Sequence, residues 1–551
     1  MYKKNNRIDV KNWLLIGIVF LSLVIRILYI IANNSIETDG AGYALIDTDG
    51  AGYALMAESL AQGKGLLPWG ETAYFIWSPL YPILIAPLYS ILNDSELAGR
   101  FISFIASIAT VFITWYLGKR AFGQKTGMLA ATLVALSVPL IKMSWRVITE
   151  PTYSFLMMGC ALLTILLFKR FTWLGSVKLG LALGLFYLSR PEGLIPAVCI
   201  ISVFFGGSLV YRNYRISLLK YGTVTLIALL FILLTYLTYV HAKTGEWMLT
   251  GKTKNNWYIS HVVNQGLKYE KVQYGLNETA TVLGTSRLES PQIVAAIAEN
   301  PTYYIYRYVK SAYRMGVLFC RSMGLLVPFI LIGLIGLLRN PQTRLDAFLS
   351  LLFLSPLVLY PIFYIQNRNI ETLIPLVCLY AARGFLDVLS RLNKFSIYNR
   401  FGNIVLLILF LSVLNPFVKE LQMAMRIKST QQIHEHKEAG LWLKERVPQD
   451  FSIMSRKPWV AYYSRRKLEV MPFAKFNYLI EYAEYRGVDL IVIDERYIPS
   501  TRPQLKFLLK PSQAPCYLKP IYSSTNAKDK KIIIYRLDRE NFCQTSEQLA
   551  E

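Results

Sequence analysis

The chain has 551 residues, of which 54% are hydrophobic and only 17% charged. Soluble domains carry about 25% charged residues, so an ordinary soluble globular protein is excluded. Lysine and arginine number 59 against 35 aspartates and glutamates, a net charge of +24. The cations lie in short clusters between apolar runs, which argues for membrane topology rather than a nucleic-acid partner.

The first apolar run, Trp13–Ile31, follows Lys3, Lys4, Arg7 and Lys11. It is long and no small-x-small site follows it, so it reads as a retained anchor rather than a cleaved signal peptide. Directly beyond it the sequence repeats itself. Thr38-Asp39-Gly40-Ala41-Gly42-Tyr43-Ala44-Leu45 is followed by Thr48-Asp49-Gly50-Ala51-Gly52-Tyr53-Ala54-Leu55. Anchoring does not need carboxylates where a helix leaves the membrane, so they point to chemistry at the bilayer surface. Tyr53 stands four residues after Asp49, one turn away if a helix begins here. Asp-Gly is also a common turn pair, which is the plainer reading. Asp39 has the same immediate context and Asp47 is close by. Only the second copy continues into Ala57, Leu60, Gly63 and Gly65, which favours Asp49.

Residues 76–92 are apolar but contain Pro79, Pro82 and Pro87. Three prolines disfavour a regular spanning helix and fit a short interfacial or re-entrant segment. Further apolar runs approach the roughly 20 residues that cross a bilayer core. They fall at residues 97–117, 128–141, 153–168, 177–188, 194–210, 218–240, 315–338, 345–365, 372–388 and 404–418. Together with the first run they predict an α-helical polytopic membrane protein of about eleven spanning helices. Basic clusters at Lys119/Arg120/Lys125, Lys169/Arg170/Lys178, Arg212/Arg215/Lys220, Arg339/Arg344 and Arg391/Lys394/Arg400 alternate with connections holding few cations. The positive-inside rule makes the amino terminus cytoplasmic, and an odd number of spans puts the carboxyl terminus outside a plasma (inner) membrane.

Several polar residues fall at the predicted outer ends of spans. Glu150, in Trp145-Arg146-Val147-Ile148-Thr149-Glu150-Pro151, suits a helix start, where a carboxylate is favourable; the alternative is a second functional carboxylate. Arg190 stands in Ser189-Arg190-Pro191-Glu192-Gly193 and Arg368 in Gln366-Asn367-Arg368-Asn369, while Arg26 lies within the first span. Guanidinium forks match phosphate oxygens, so these arginines suggest a lipid-phosphate site. Snorkelling to lipid headgroups is the plainer reading, and it weighs most for Arg26.

Two external segments are long, 36–93 and 241–313. The second ends in the aromatic-basic stretch from Pro301 to Lys310, which suits a helix in the headgroup layer or an amphipathic lead-in to the next span. From about Lys419 hydrophobicity falls, and residues 421–551 read as an extracytoplasmic soluble α/β domain. Helices are expected at 439–444 and 476–485, and strands at 451–454, 488–494 and 531–537. The domain has no phosphate-cradling glycine loop. Cys160, Cys199, Cys320 and Cys378 lie in apolar runs and read as small buried hydrophobes. Cys516 and Cys543 could pair if the tail is outside the cytoplasm. His434 and His436 are two apart on a predicted helix and face different directions, so no metal site is read there.

In their order and placement, five segments together resemble the GT-C membrane glycosyltransferases. The likeness is closest to the family-39-like branch that holds protein O-mannosyltransferases and the aminoarabinose transferases of lipid A. The segments are Asp49-Gly50-Ala51-Gly52-Tyr53-Ala54 with Gly63-Lys64-Gly65; Trp77-Ser78-Pro79-Leu80-Tyr81-Pro82; Thr149-Glu150-Pro151; Ser189-Arg190-Pro191-Glu192-Gly193; and Arg368 followed by Leu373-Ile374-Pro375-Leu376.

The resemblance implies a transmembrane glycosyltransferase domain over 1–420. It implies a polyprenyl-phosphate-linked sugar as donor substrate, with no certain cofactor, and an extracytoplasmic lipid, glycan or protein acceptor. It places the catalytic base on Asp49, with Asp39 the next candidate, and a second important acid on Glu150. Arg190 and Arg368 fall near the donor, and Tyr53 joins them in substrate binding. The chain departs from the pattern in three places. Ile76-Trp77-Ser78 stand where aminoarabinose transferases tend to carry Glu-Lys, Asn369 follows Arg368 where tyrosine is common, and the Asp loop is duplicated.

The chemistry fits: a departing lipid phosphate is a weak base, so one carboxylate acting on the acceptor suffices while arginines stabilise the leaving charge. Direct displacement inverts the anomeric centre. The rival readings are a flippase of lipid-linked sugars and a non-catalytic envelope assembly protein. A flippase favours broken helices with charges at mid-membrane, whereas the charges here lie at span ends.

Overall fold

A computed structural model describes residues 10–34, 46, 48–68, 77–252, 256–257, 259–260, 266, 268–276, 297–363, 366–392, 435–524 and 530–539. Asp39, Asp47, His434, Cys543 and the apolar run 404–418 lie outside the described residues. The chain forms two compact units. The first comprises Met1–Ala32, Phe75–Gly251 and Asn300–Met423, and the second Asn33–Tyr74, Lys252–Glu299 and Ala424–Glu551.

The first unit is helical. Among the described residues, seven helical runs are long and apolar enough to cross a membrane: Trp13–Ile31, Ser95–Phe122, Glu150–Lys169, Pro191–Val210, Arg212–Thr244, Pro301–Arg339 and Pro341–Ile362. Their ends follow the local sequence. Asp94 accepts from the Leu97 amide at 2.9 Å to cap Ser95–Phe122, and Pro151 sits in the first turn of Glu150–Lys169. The proline-rich segment forms a continuous helix, Leu80–Leu92, with Pro87 inside it. At 13 residues it is shorter than the roughly 20 needed to span.

Three expected spans are divided, among them 345–365, which breaks into Pro341–Leu351 and Pro356–Leu359. Residues 128–141 split between Gln124–Ala135 and the short helix Val138–Met143, which carries Pro139 in its first turn. The aromatic-basic stretch is the start of one long helix, Pro301–Met323, which ends at Gly324 with φ +50 before Val327–Arg339 begins. Only glycine adopts that backbone cheaply. Where these helices pack closely, small residues permit it: a Cβ on Gly118 would meet Gly127 Cα at 2.7 Å.

Arg26 does not snorkel. It is completely buried, donating from Nε to Ser107 Oγ at 2.9 Å and from Nη1 to Ser22 Oγ at 2.6 Å and the Ala135 carbonyl at 3.2 Å. It therefore ties three helices together. Of the cysteines read as buried, Cys160 and Cys378 are, Cys199 is half-buried and Cys320 is exposed.

The second unit is built on a five-stranded mixed sheet in the order β2-β1-β3-β5-β4. The strands are β1 Ile453–Ser455, β2 Leu468–Val470, β3 Leu490–Asp494, β4 Leu518–Ser523 and β5 Ile532–Leu537. β1 pairs in parallel with β2 and β3, and β5 runs antiparallel to β3 and β4. The central strand β3 is buried along its whole length, as its unbroken run Leu490-Ile491-Val492-Ile493 demands. Helices Phe476–Tyr485 and Glu435–Arg446 contribute to the cores on the sheet. The unit draws its residues from three separate stretches of chain, including the segment that carries Asp49.

Candidate functional site

In the first unit the sequence places Glu150 at the start of a helix, and Arg190 between two helices that Pro191 keeps apart. Both are buried, at 2% and 3% exposure. Arg190 Nη1 donates to Glu150 Oε1 at 2.7 Å, and its Nη2 reaches Glu192 Oε1 at 3.2 Å and Asn369 Oδ1 at 2.9 Å. Its guanidinium also lies 5.7 Å from the centre of the Tyr153 ring. Arg368 approaches the same Glu150 oxygen at 3.6 Å while donating to Gln366 Oε1 at 2.5 Å.

The structure thus brings together three of the residues singled out in the sequence: Glu150, Arg190 and Arg368. It adds Glu192 and Asn369, which lay unassigned inside the same two motifs. The 3-10 turn Pro191–Gly193 returns Glu192 onto Arg190, and a one-turn helix, Asn367–Glu371, carries Asn369. The next acid, Glu371, is half-buried and interacts electrostatically with Lys142, Arg146 and Glu150. Burial pushes its carboxyl upward, against the two cations.

A small cleft opens within this unit. Trp77, Pro79, Tyr187, Tyr236 and Thr250 line it, together with Leu188 and Pro191, which flank Arg190 in the sequence. Tyr187 donates to the Leu249 carbonyl at 2.5 Å. The cleft is mostly apolar and aromatic, with its charged neighbour at one sequence flank.

In the second unit a helix does begin at the repeat, as Thr48–Ala61, with Asp49 half-buried in its first turn and Tyr53 buried one turn on. A carboxylate there is favoured by the helix dipole. The helix ends as its sequence dictates. Gly63 adopts φ +75, and the Lys64 amide donates back to the Ser59 carbonyl at 2.9 Å. Asp49 acts electrostatically on Tyr269 and Lys457.

Close to these groups in sequence is an ion cluster that sequence reading missed. Glu270 receives Arg456 Nη2 at 2.5 Å and Nε at 2.9 Å, and Arg502 Nη1 at 2.7 Å. The Tyr274 ring lies 4.1 Å from the Arg456 guanidinium. Burial alone would raise the Glu270 carboxyl, but the two arginines outweigh it and hold it below the usual carboxylate range. Burial likewise depresses Lys457, with Arg456 acting in the same direction. His436 is buried against Trp459, with ring centres 5.0 Å apart. Among the described residues no group of three or more His, Cys, Asp or Glu side chains is arranged to hold a metal ion.

With this geometry in hand, likeness to known proteins is informative. Residues 77–247 match the dolichyl-phosphate-mannose-protein mannosyltransferase family. The fold resembles the Archaeoglobus fulgidus oligosaccharyltransferase AglB, solved with an inhibitory peptide and a dolichol-phosphate. That likeness has a TM-score of 0.60 at 14% identity and covers 96% of this chain and 74% of that one. It also resembles ArnT from Cupriavidus metallidurans bound to undecaprenyl phosphate, with a TM-score of 0.58 at 12% identity over 96% of this chain and 98% of that one. No curated protein sequence matches the chain.

The fold is therefore that of a multi-pass membrane protein of the GT-C class, with a sheet domain at its carboxyl end. The chain thus shares the GT-C fold with these structures, the class its sequence motifs resembled, and residues 77–247 carry the family match.

Proposed function

We propose that the protein is an inverting glycosyltransferase that takes a monosaccharide from a polyprenyl-phosphate carrier and passes it to an acceptor outside the cytoplasm. The observation that carries this reading is the Glu150–Arg190–Arg368 cluster, with Glu150 and Arg190 buried, at helix ends of a GT-C fold. Cations held there by a carboxylate are suited to a phosphate that gains charge as its sugar leaves. Asp49 serves as the general base. It abstracts the acceptor proton as the acceptor oxygen attacks the anomeric carbon and the carbon–phosphate-oxygen bond breaks. The electron pair of that bond leaves with the lipid phosphate, and the sugar inverts.

Arg190 and Arg368 stabilise the leaving phosphate, and Glu150 keeps Arg190 oriented. Tyr53, buried one turn after Asp49, supports the base. Asp39 is the alternative base. The family matched over residues 77–247 and the lipid phosphates bound by AglB and ArnT support a lipid-linked donor. The basic clusters between spans support a cytoplasmic amino terminus, an inner-membrane location and an external sheet domain.

The test is reconstitution of the purified protein in proteoliposomes with radiolabelled polyprenyl-phosphate sugars and extracted envelope acceptors. Label appearing on acceptor, with free polyprenyl phosphate released, supports the transferase. Movement of intact lipid-linked sugar across the bilayer without transfer supports a flippase instead. If neither occurs, the non-catalytic assembly role gains ground.

A further inference from the structure

We propose that Trp459, Tyr463 and Arg465 of the sheet unit are positioning residues for Asp49, gripping its helix on both sides of the carboxylate. The inference rests on the reading of Asp49 as the base. Three residues before Asp49, the peptide of Ile46 is held at two points. Trp459 Nε1 donates to its carbonyl at 2.7 Å, and its amide donates to Tyr463 Oη at 3.2 Å. Ile46 itself is 2% exposed. Nine residues after Asp49, Glu58 accepts from Arg465 Nη1 at 2.5 Å.

All three gripping residues come from one short stretch, the helix Trp459–Ser464 and the residue that ends it. That stretch is itself anchored. Arg466 donates from Nη2 to the carbonyls of Leu443 at 2.8 Å and Val447 at 2.6 Å, at the end of helix Glu435–Arg446. A Cβ on Gly440 of that helix would meet Tyr463 Cβ at 2.7 Å, so the two backbones lie in direct contact.

Helix Thr48–Ala61 buries only two large apolar side chains, Tyr53 and Met56, and the rest of its apolar buried side is Gly50, Ala51, Gly52, Ala54 and Ala57. Such residues allow close approach but make few side-chain contacts. The polar grips therefore fix where the helix, and the carboxylate in its first turn, comes to rest. General-base catalysis is sensitive to that position: a displacement of about 1 Å costs on the order of 100-fold in rate.

The experiment compares W459F, which keeps a smaller aromatic ring and removes the N–H, and R465Q with the unaltered full-length protein in proteoliposomes. The readouts are the single-turnover transfer rate at saturating lipid-linked sugar, the donor KM and the thermal midpoint. The expected result is a rate lowered about 10-fold in each variant with the donor KM unchanged, because position rather than binding is lost. The charge-swapped pair E58R/R465E should recover most of the rate that R465E alone loses.

Unchanged rates, or rates that fall only in proportion to the folded fraction, would overturn the positioning role. D49N is run in parallel. If D49N transfers sugar normally, the reading of Asp49 fails and the inference falls with it. If D49N is dead while W459F and R465Q are normal, only the positioning role is lost.

Discussion

In the membrane-spanning unit the carboxylate of Glu150 is 2% exposed and shared between Arg190 and Arg368, while in the sheet unit Glu270 keeps 19% of its side chain exposed between Arg456 and Arg502. The two clusters use the same chemistry at different depths. Burying a charge pair costs several kcal/mol per ion, recovered only when the geometry is complete. Glu150 is therefore committed to its arginines. Asp49 stands half-buried in the first turn of its helix. That difference in burial accompanies the roles proposed for them, Asp49 as the proton acceptor and Glu150 as the group that fixes cations.

Three substitutions and one titration can break or sharpen this comparison. The largest effect belongs to E150Q, which leaves Arg190 short of its closest partner. Removing one member of a buried pair costs about 3–5 kcal/mol, read as a lowered midpoint in detergent-solubilised protein. The double variant E150Q/R190Q should be less destabilised than the sum of its parts. E270Q should cost less, about 1.5–3 kcal/mol, as expected for hydrogen bonds to charged groups nearer solvent. If E270Q proves more damaging than E150Q, the contrast of depth is wrong.

The titration follows from the same carboxylate. Glu270 lies below its unfolded value of about 4.3, so its stabilisation is fully present above that pH and is lost as pH falls through the folded value. Thermal midpoints measured from neutral into acid should decline there, and E270Q should flatten that decline. The smallest effect is expected for K519A. Lys519 is 58% exposed in its pair with Asp538, and such pairs contribute about 0–1 kcal/mol.

Much of the sheet unit was legible in the sequence, for reasons that differ element by element. The helix Phe476–Tyr485 lies where the sequence put it, and β3 and β5 were readable because strands buried along most of their length are near-continuous apolar runs. The edge strands were not. β2 has only three residues with Glu469 at its centre, and β4 carries Pro520 beside a register shift. In the membrane unit composition located the apolar runs but not their breaks, because Pro139 and Gly324 act through backbone geometry rather than hydropathy.

The site was half legible. Glu150, Arg190 and Arg368 were marked by lying at span ends, whereas Glu192 and Asn369 needed the turn geometry that aims them at Arg190. The Glu270 cluster was invisible, since its arginines lie 186 and 232 residues away in the chain. Nothing in the structure accounts for the tandem repeat that places Asp39 in a copy of the Asp49 context.

The most direct test of the central claim is sugar transfer by D49N and D39N, measured beside the unaltered protein in the same proteoliposomes, with folding checked by thermal midpoint. The account predicts that D49N folds and binds donor but transfers about 100- to 10,000-fold more slowly, while D39N is unimpaired. Near-normal transfer by D49N, above all with loss in D39N, would contradict it.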